Sequence, residues 1–458
     1  MKNVGILLPI FSLPNKYGIG DFGPSAYNFI DILNKNNLNC WEILPLNPID
    51  ADNSPYSPIS STAIEPLFIS IDKLIEIGLL SDSYSIVNDG KINYENVRNI
   101  KGKYLKIAYN NFTKSHFLYK YFIKYKKENT CEYAKFMALK VANNYKHWKY
   151  FTNDFDNLEY DYQVFLQFIA QYQWNELKKY ADKNDIKIIG DLPIYVNYDS
   201  SDVYFNKKCF MLNNDDLDFV SGASPDYFNS EGQKWFHPLY DFAYQKQDNY
   251  KYLIKKYTYN TKLFDIIRID HFRAFSTFYK IPINKSPKEG VWIEGPSYDF
   301  LDNLFSVVNK NKFIVEDLGD NLDEVIKLRD YYNLPGMKIF QYTFDFCYKK
   351  DTCLNSSNLV VYPGNHDNNT IIGWYNGLDA SQKIALDEFL INYSGNINER
   401  VIHYLMDQPF KYLIFMVQDI LGLSSDYRIN TPGDIKNQWQ YRMIDYKGFE
   451  EKVKILGM

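Results

Sequence analysis

Residues 266–275 read IIRIDHFRAF, a short apolar, β-branched run that ends at an aspartate and passes into a polar loop. The run FIVEDLGD (313–320) ends in the same way at Glu316, and LVVYPGNHDNN (359–369) leads to Asp367. In a chain of alternating strands and helices, the carboxyl ends of parallel strands converge on one face of the sheet. The pattern therefore predicts that three carboxylates meet at one face of a parallel α/β sheet.

Eight β-rich runs of this kind occur along the chain, and eight is the strand number of a closed α/β barrel. The predicted strands are 5–10, 40–46, 187–197, 266–272, 313–318, 336–344, 359–364 and 412–420. Stretches with helical periodicity lie between many of them, which is the alternation of a parallel sheet. The last run would also fit a helix. We therefore predict an α/β fold of the (β/α)8 TIM-barrel type.

Two segments are too long to be simple connections between neighbouring strands. Residues 47–186 are largely helical in pattern, and residues 198–264 are rich in Asp, Asn and aromatic residues. Because they follow strands 2 and 3, at the barrel end where connecting loops build the active-site face, they are predicted to be inserted, largely helical subdomains that wall a substrate groove. The whole chain, 1–458, is interpreted as one catalytic barrel with these elaborations.

The composition argues against several other classes of protein. Charged residues make up 23% and the net charge is only −5, without a long run of Lys or Arg, so no nucleic-acid partner is expected. Pro9 and Pro14 interrupt the N-terminal apolar run, and no run reaches the roughly 18 residues of a membrane span, so neither a signal peptide nor a membrane partner is expected. Five scattered cysteines without a C-x-x-C pair favour a reducing, cytoplasmic setting.

The residues around the three acids predict their chemistry. Arg268 and Asp270 lie two apart on a strand, so both point to the same side and the guanidinium can keep the carboxylate ionised, as a nucleophile requires. A second acid nearby would raise the pKa of Glu316 towards the range of a general acid. Retaining glycosidases place such a pair about 5 to 5.5 Å apart. Asp367, beside His366, would bind sugar hydroxyls and favour ring distortion.

The same residues also allow structural, metal-binding and nucleotide-binding interpretations. A single buried acid is more often structural, paired with an arginine or capping a helix, so only the set of three argues for a site. His271, His366 and Asp367 could be metal ligands, but neighbours on a strand point to opposite sides and neither H-x-H nor H-E-x-x-H occurs, so no metal is expected. No phosphate-binding glycine motif is present, so no nucleotide or other cofactor is expected.

Ten segments, in order along the chain, form a pattern that runs nearly from end to end. They are GILLPIFSLPNKYGIGDFG (5–23), WEILPLNP (41–48), SPYSPISSTA (54–63), GDLPIYVNYDSSDVYFN (190–206), SPDYFNSEGQKW (224–235), RIDHFRAF (268–275), VEDLG (315–319), LPGMKIFQ (334–341), GNHDNNT (364–370) and RINTPGD (428–434). This pattern resembles the 4-α-glucanotransferases of the amylomaltase (disproportionating enzyme) family, glycoside hydrolase family 77, which is related to the α-amylase clan.

The resemblance implies a retaining transfer of an α-1,4-glucan segment from a donor maltooligosaccharide to the 4-hydroxyl of an acceptor. It implies Asp270 as nucleophile, forming a covalent glycosyl ester, Glu316 as acid and base, and Asp367 as stabiliser of the transition state. The side chains implied to support these acids are Arg268, His366 and Asp191. The implied sugar contacts are Tyr56, Asp226, Tyr227, Gln233, Trp235 and Asn430. Aromatic faces pack on pyranose C–H groups, although Tyr56 or Trp235 alone would fit a core equally well.

Three positions depart from the family pattern. Phe236-His237 stands where Gly-Asn is usual, Glu65 replaces an Asn, and QWQY (438–441) stands where N-W-x-W is usual. All are expected in loops that line the acceptor side or a lid, so they should alter substrate length preference more than reaction class.

The expected partners are maltooligosaccharides and α-1,4-glucans. Two alternatives to a transferase stay open from the sequence: a hydrolase of α-1,4-glucans, in which reducing ends would increase, and a catalytically silent glucan-binding protein. The presence of all three acids argues against the silent protein.

Overall fold

The computed structural model describes residues 2–129, 131–225, 230–347, 357–434 and 438–457. The strands in these ranges are β1 (Asn3–Leu7), β2 (Cys40–Glu42), β3 (Lys187–Leu192), β4 (Phe219–Ala223), β5 (Gln233–Lys234), β6 (Ile266–Ile269), β7 (Thr277–Pro282), β8 (Val291–Glu294), β9 (Phe313–Val315), β10 (Gly336–Ile339), β11 (Leu359–Tyr362) and β12 (Tyr412–Met416).

The α-helices in the same ranges are α1 (Pro24–Lys35), α2 (Ile71–Glu76), α3 (Tyr94–Asn111), α4 (Tyr119–Glu128), α5 (Glu132–Ala142), α6 (Asn157–Lys183), α7 (Ser201–Phe205), α8 (Phe242–Lys246), α9 (Lys251–Leu263), α10 (Ser297–Val307), α11 (Asp323–Tyr331), α12 (Phe340–Cys347), α13 (Ile371–Gly377), α14 (Ala380–Phe389), α15 (Ile397–Asp407), α16 (Val417–Leu421) and α17 (Lys447–Lys452). Among these helices, none has the length and apolar character needed to cross a lipid bilayer.

Eight parallel strands form one sheet in the order β10-β11-β12-β1-β2-β3-β6-β9. The two end strands approach each other, since the Val315 N–H donates to the Pro335 carbonyl at 3.0 Å. The Met337 N–H also donates to the Asp317 carboxylate at 2.7 Å. The sheet is therefore nearly closed into a barrel, which confirms the predicted (β/α)8 architecture.

The predicted strands occur in the predicted order but end earlier. The run predicted at 336–344 is a strand only to Ile339, and α12 begins at Phe340; the run predicted at 412–420 changes from β12 to α16 at Val417. Phe340 and Val417 are both buried. An apolar run that passes from a buried strand directly into a buried helix shows no change in periodicity, so the boundary cannot be located from the pattern alone.

The two predicted insertions differ in content. Helices α2 to α6 lie between β2 and β3, whereas the stretch between β3 and β6 contains β4 and β5 as well as α7 to α9. These two strands join β7 and β8 in a second, antiparallel sheet of order β5-β4-β7-β8. The sequence did not predict this sheet because its strands are short and include glycine and lysine, which depart from an apolar β pattern.

Buried amide side chains join two parts of the first of these segments, α6 and the backbone that follows residues 54–63. On α6, Gln167 exchanges two hydrogen bonds of 2.9 and 2.8 Å with the backbone of Ile64. One and a half turns later, Gln173 binds the backbone of Ser70 in the same way at 2.7 and 3.2 Å. Because these buried backbone groups would otherwise lack partners, the two glutamines hold the residues that follow the 54–63 loop in one position.

A glycine in β3 permits the close packing of a helix end on the barrel. A Cβ atom at Gly190 would lie 2.3 Å from the ring of Phe264, the residue that follows α9. Gly190 also directly precedes Asp191, so strain there would be felt at the carboxyl end of the strand. By contrast, a Cβ atom at Gly102, within α3, would meet no atom within 4 Å.

This difference predicts opposite effects of one added methyl group. Gly190→Ala should lower the free energy of unfolding by about 1–3 kcal/mol through overpacking. The matched control Gly102→Ala should raise it by about 0.5–1 kcal/mol because alanine favours the helix. Chemical denaturation followed by circular dichroism measures both, and equal stability of the two variants would contradict the packing argument.

Candidate active site

The barrel brings the three acids of the sequence analysis to the carboxyl ends of its strands. Asp270 directly follows β6 and Glu316 directly follows β9, while Asp367 lies in the loop after β11. The Asp270 N–H donates to the Leu192 carbonyl at 3.2 Å, and the Glu316 N–H donates to the Ile269 carbonyl at 3.0 Å. These bonds continue the strand ladders by one residue, so the first two acids are held by the sheet itself.

One buried guanidinium joins the acids to each other. Arg268 and Asp191 are direct register partners on β6 and β3, and both are 1% exposed. Nη1 of Arg268 donates to both oxygens of Asp191 at 2.8 and 2.7 Å. The same nitrogen lies 3.2 Å from Oδ1 of Asp270, and Nη2 donates to Oε2 of Glu316 at 2.9 Å. Arg268 is thus the cation shared by three carboxylates.

The carboxyl groups of Asp270 and Glu316 lie within hydrogen-bonding reach of each other. Burial, followed by the charge of Glu316, raises the pKa of Asp270 well above its usual value. Burial would also raise the pKa of Glu316, but Arg268 and the His271 N–H, which donates to Oε2 at 2.8 Å, lower it below its usual value. In the free site these directions favour the protonated form of Asp270 and the ionised form of Glu316.

The directions of the two pKa shifts are the reverse of those predicted from the sequence, which were an ionised Asp270 and a raised pKa for Glu316. The order is reversed because Arg268 lies closer to Glu316 than to Asp270, at 2.9 against 3.2 Å, and because a backbone donor adds to it. Neither distance follows from the spacing of residues along the chain.

The backbone donor depends on an unusual conformation of His271. Its φ of +46° lies in the left-handed region, which most residues other than glycine and asparagine adopt only at an energetic cost. Its ring packs edge-on against Trp235, with centroids 5.0 Å apart, and burial lowers its pKa to about 4. Its Nε2 atom has no hydrogen-bond partner within the described part of the chain. His271 therefore presents a neutral ring beside Asp270.

Asp367 has a different environment, and its side chain is 38% exposed. Asn430 donates to its Oδ1 at 2.6 Å, and Nε2 of His366 lies 3.4 Å from its Oδ2. Burial opposes ionisation, but His366 and Asn430 together lower the pKa of Asp367 to about 2. The same contact with Asp367 raises the pKa of His366 in spite of burial. Asp367 is therefore an ionised carboxylate that a ligand can reach.

Aromatic rings form one wall beside these acids. The Tyr56 and His366 rings stack with centroids 5.0 Å apart and an interplanar angle of 13°. Trp439 lies 5.6 Å from the Tyr56 ring. The Tyr56 hydroxyl donates to Oδ2 of Asp191 at 2.6 Å, so this wall is tied directly to the Arg268 cluster.

The predicted sugar-contacting residues are placed as follows. Trp235 lies against His271, and its indole N–H donates to Gln233 at 3.0 Å, so both belong to the same surroundings as Asp270. Asp226 and Tyr227 lie outside the described residues. The predicted residues that the structure brings together are Tyr56, Asp191, Gln233, Trp235, Arg268, Asp270, Glu316, His366, Asp367 and Asn430.

The three departures from the family pattern have different environments. Glu65 is buried, and its carboxylate accepts the N–H groups of Ile49 at 2.9 Å and Leu67 at 3.0 Å, so it caps a turn and does not line the acceptor side as expected. Gln438 accepts the Thr431 N–H at 2.6 Å. Phe236 is 59% exposed at a φ of +62°, where a glycine would fit without strain.

Two buried ionisable groups near the site were not predicted from the sequence. Glu42, the last residue of β2, accepts a hydrogen bond from the Tyr362 hydroxyl at 2.7 Å. Lys256 on α9 donates to the Pro193 and Ile194 carbonyls at 2.6 and 2.9 Å, directly after β3. Glu42 could have been recognised as an acid within the apolar run CWEILPL. Lys256 gave no such signal because it lies in a helix with several other lysines. No group of His, Cys, Asp and Glu in the described ranges is arranged to hold a metal ion.

Comparisons with known proteins agree with this geometry. Residues 8–446 match the family model described as 4-alpha-glucanotransferase. The 4-alpha-glucanotransferase of Synechocystis sp. is 36% identical over 96% of this chain and 93% of its own length. That of Clostridium butyricum is also 36% identical, over 95% of each chain.

Solved structures are similar over the full chain. The amylomaltase from Streptococcus agalactiae in complex with acarbose has a TM-score of 0.94 at 28% identity, covering 100% of this chain and 98% of that one. The amylomaltase from Corynebacterium glutamicum has a TM-score of 0.84 at 16% identity and covers 100% of this chain and 75% of that one, which supports the fold alone.

The shared guanidinium predicts a pH-dependent loss of stability on its removal. Arg268→Met should lower the free energy of unfolding at pH 7 by about 3–5 kcal/mol, because it leaves buried carboxylates without their cation. The loss should be smaller at pH 4, where Asp270 and Glu316 take up protons more readily once their cation is gone. The control Arg400→Met, which breaks a partly exposed pair with Asp387, should cost about 0.2–1 kcal/mol.

Denaturation curves of the two variants and the wild type at both pH values test this. An equal loss for Arg268→Met at pH 4 and pH 7 would show that packing, and not charge balance, is its main contribution.

Proposed function

The chain belongs to the 4-alpha-glucanotransferase family, and from this membership we propose that Asp270, Glu316 and Asp367 carry out glucan transfer as a retaining double displacement. The observation that carries the proposal is the buried Arg268, which holds Asp270 and Glu316 together at neighbouring strand ends. An acid pair of this kind, coupled through one proton, has the two functional groups that retention requires.

The first step cleaves the donor. A carboxylate oxygen of Asp270 attacks the anomeric carbon, the bond from that carbon to the glycosidic oxygen breaks, and Glu316 gives its proton to the departing oxygen. A glycosyl ester on Asp270 and a shortened glucan with a free 4-hydroxyl result. Because the pKa directions in the free site favour a proton on Asp270, whereas this step needs one on Glu316, substrate binding must shift that preference, and a glycosidic oxygen that accepts from Glu316 favours the shift.

The second step forms the product. The 4-hydroxyl of an acceptor glucan or glucose gives its proton to Glu316 and attacks the anomeric carbon, and the ester bond to Asp270 breaks. The configuration is inverted twice and is therefore retained. The proton and the two carboxyl groups are returned to their starting state, so the cycle uses no cofactor.

Asp367 acts on the sugar ring and does not attack it. It is ionised at neutral pH, since His366 and Asn430 hold its pKa at about 2. A fixed negative charge beside the ring favours the oxocarbenium-like transition state, and its oxygens would bind ring hydroxyls. Arg268, Asp191 and His366 support the acids that react, and Tyr56 and Trp235 supply aromatic faces for pyranose rings.

We also propose that the segments 47–186 and 198–264 wall the groove that holds donor and acceptor. Tyr56 comes from the first segment, and Gln233 and Trp235 come from the second, so both contribute side chains beside the acids. Asp226 and Tyr227, in the same second segment, are proposed as further sugar-contacting residues. Transfer exceeds hydrolysis only where an acceptor is held in place and water is excluded, and these walls would do both.

The proposed substrates are maltooligosaccharides and longer α-1,4-glucans. The similar amylomaltase from Streptococcus agalactiae is described as a complex with acarbose, which supports a site for an oligosaccharide. A reducing compartment such as the cytoplasm is proposed as the working location. In support, Cys40, Cys131 and Cys209 are free thiols.

Incubation with maltotriose distinguishes transfer from hydrolysis. We expect glucose together with a ladder of longer maltooligosaccharides, at a constant number of reducing ends, because each cleavage is matched by one new bond. Chromatography and a reducing-end assay on the same samples measure both quantities. Rising reducing ends without longer products would identify a hydrolase instead.

Variants of the two reacting acids should differ in a specific way. Asp270→Asn should lower kcat by about 10³-fold or more with every donor, because no ester can form. Glu316→Gln should lower kcat by about 10²–10⁴-fold with maltotriose but still release fluoride from an α-maltosyl fluoride donor, which needs no proton on departure.

Asp387→Asn, at a partly exposed ion pair on α14, is the matched control and should keep wild-type rates. Fluoride release by Asp270→Asn at the wild-type rate would contradict the nucleophile assignment. Full retention of maltotriose transfer by Glu316→Gln would contradict the acid assignment.

A further inference from the structure

A fourth carboxyl group lies in the barrel interior near the acid cluster. Glu42 is paired in register with Leu7 of β1 and Ile189 of β3, and it is 1% exposed. Its Oε2 atom accepts a hydrogen bond from the hydroxyl of Tyr362, the last residue of β11, at 2.7 Å. In the sheet order, β12 and β1 separate these two strands, so this bond crosses the barrel between non-adjacent strands.

The charged groups that face Glu42 leave it without a cation of its own. They are Arg268 from β6, Asp191 from β3 and His366 after β11, together with the Tyr362 hydroxyl. Arg268 already binds Asp191, Asp270 and Glu316, and His366 faces Asp367. Within the described part of the chain, Glu42 forms no ion pair. A buried carboxylate without a cation is unfavourable, so the neutral acid is the form that this position accommodates.

We propose that Glu42 is a positioning residue that supports glucan transfer only while its carboxyl group is neutral, and that its ionisation turns the reaction down. This inference rests on the proposed function. Glu42 accepts the hydrogen bond that anchors Tyr362 at the end of β11, the strand that leads to His366 and Asp367. As an ion, it would add a negative charge to a cluster whose buried guanidinium already serves three carboxylates.

The negative charge of an ionised Glu42 would make Asp270 harder to ionise and so a poorer nucleophile. Asp270 must be ionised to attack, and its pKa is already raised by burial and by the charge of Glu316. Another negative charge in the same low-dielectric interior disfavours ionisation of Asp270 further. The fraction of enzyme with a competent acid pair therefore falls when Glu42 loses its proton.

The loss of this proton falls within the neutral pH range. Burial raises the pKa of Glu42 from 4.5 to about 7, opposed by the Tyr362 hydrogen bond and by Arg268 and assisted by Asp191. Glu42 is therefore neutral below pH 7 and ionised above it. Activity that depends on the neutral form is present at low pH and is lost as the pH rises through 7.

Glu42→Gln tests the inference because glutamine keeps the shape of the neutral acid and does not ionise. The quantity to measure is the ratio of the variant's kcat/KM to that of the wild type with maltotriose, from pH 5.5 to 8.5. Groups whose titration does not depend on the charge of Glu42 act in both proteins and cancel in the ratio. We expect the ratio to rise about tenfold between pH 6 and pH 8. A ratio that does not change with pH would overturn the inference.

Tyr362→Phe provides a second test that does not depend on the folding of Glu42→Gln. Loss of the hydroxyl removes a hydrogen bond that lowers the pKa of Glu42, so the alkaline decline of activity should move to higher pH. A decline at the wild-type pH, or at lower pH, would overturn the inference.

A stability measurement follows the ionisation without turnover. Because the folded pKa of about 7 exceeds the ordinary value of 4.5, the wild type should lose thermal stability relative to Glu42→Gln as the pH rises from about 4.5 to 7. A constant difference in melting temperature would overturn the assignment of a neutral Glu42.

The two proposals fail in different ways. Absence of longer maltooligosaccharides from the wild type at pH 6 would overturn the proposed function and this inference with it. Wild-type transfer with a constant variant ratio would overturn the inference alone.

Discussion

The attraction of one buried guanidinium for three carboxylates organises this molecule. Arg268 is 1% exposed and binds Asp191, Asp270 and Glu316, which come from three neighbouring strands. A buried charge is tolerated only where opposite charges surround it, so the register of β3, β6 and β9 is coupled to the electrostatics of the site. The same cation cannot neutralise all of its partners, and one proton must therefore be shared between Asp270 and Glu316. The charges that hold these strands in register therefore also influence the protonation of the acid pair.

The surroundings of the cluster keep it in place and make it accessible from one side. Hydrogen bonds from Tyr56 to Asp191 and from Tyr362 to Glu42 attach loops and opposite strands to the barrel interior. Buried glutamines of α6 hold the backbone that follows the Tyr56 loop. Asp367, by contrast, is partly exposed and has its own partners in His366 and Asn430. The site thus combines a rigid acid pair with a reachable third carboxylate, an arrangement suited to a sugar that must be bound, distorted and attacked.

The positions of protons are decided by contacts that are local in space and distant in sequence. The N–H of His271, aimed by a left-handed backbone, favours the ionised form of Glu316. His366 and Asn430 favour the ionised form of Asp367, and the lack of a cation favours the neutral form of Glu42. These three acids therefore have pKa values shifted in different directions within one barrel, raised for Glu42 and lowered for Glu316 and Asp367. The proposed acid, base and nucleophile need a division of this kind in order to coexist at one pH.

The amino-acid sequence by itself determined the barrel class, the order of its strands and the identity of the acids that converge at their ends, because the alternation of apolar strands with helices and the polar residues after them are local patterns. The family resemblance indicated the supporting residues, and those that lie in the described ranges do gather around Arg268. Only the tertiary structure decided where β10 and β12 turn into helices, that β4, β5, β7 and β8 pair in a second sheet, that Glu65 caps a buried turn, and that the pKa of Asp270 is raised while that of Glu316 is lowered. These features depend on burial and on distances across strands, which residues acquire only when the chain has folded.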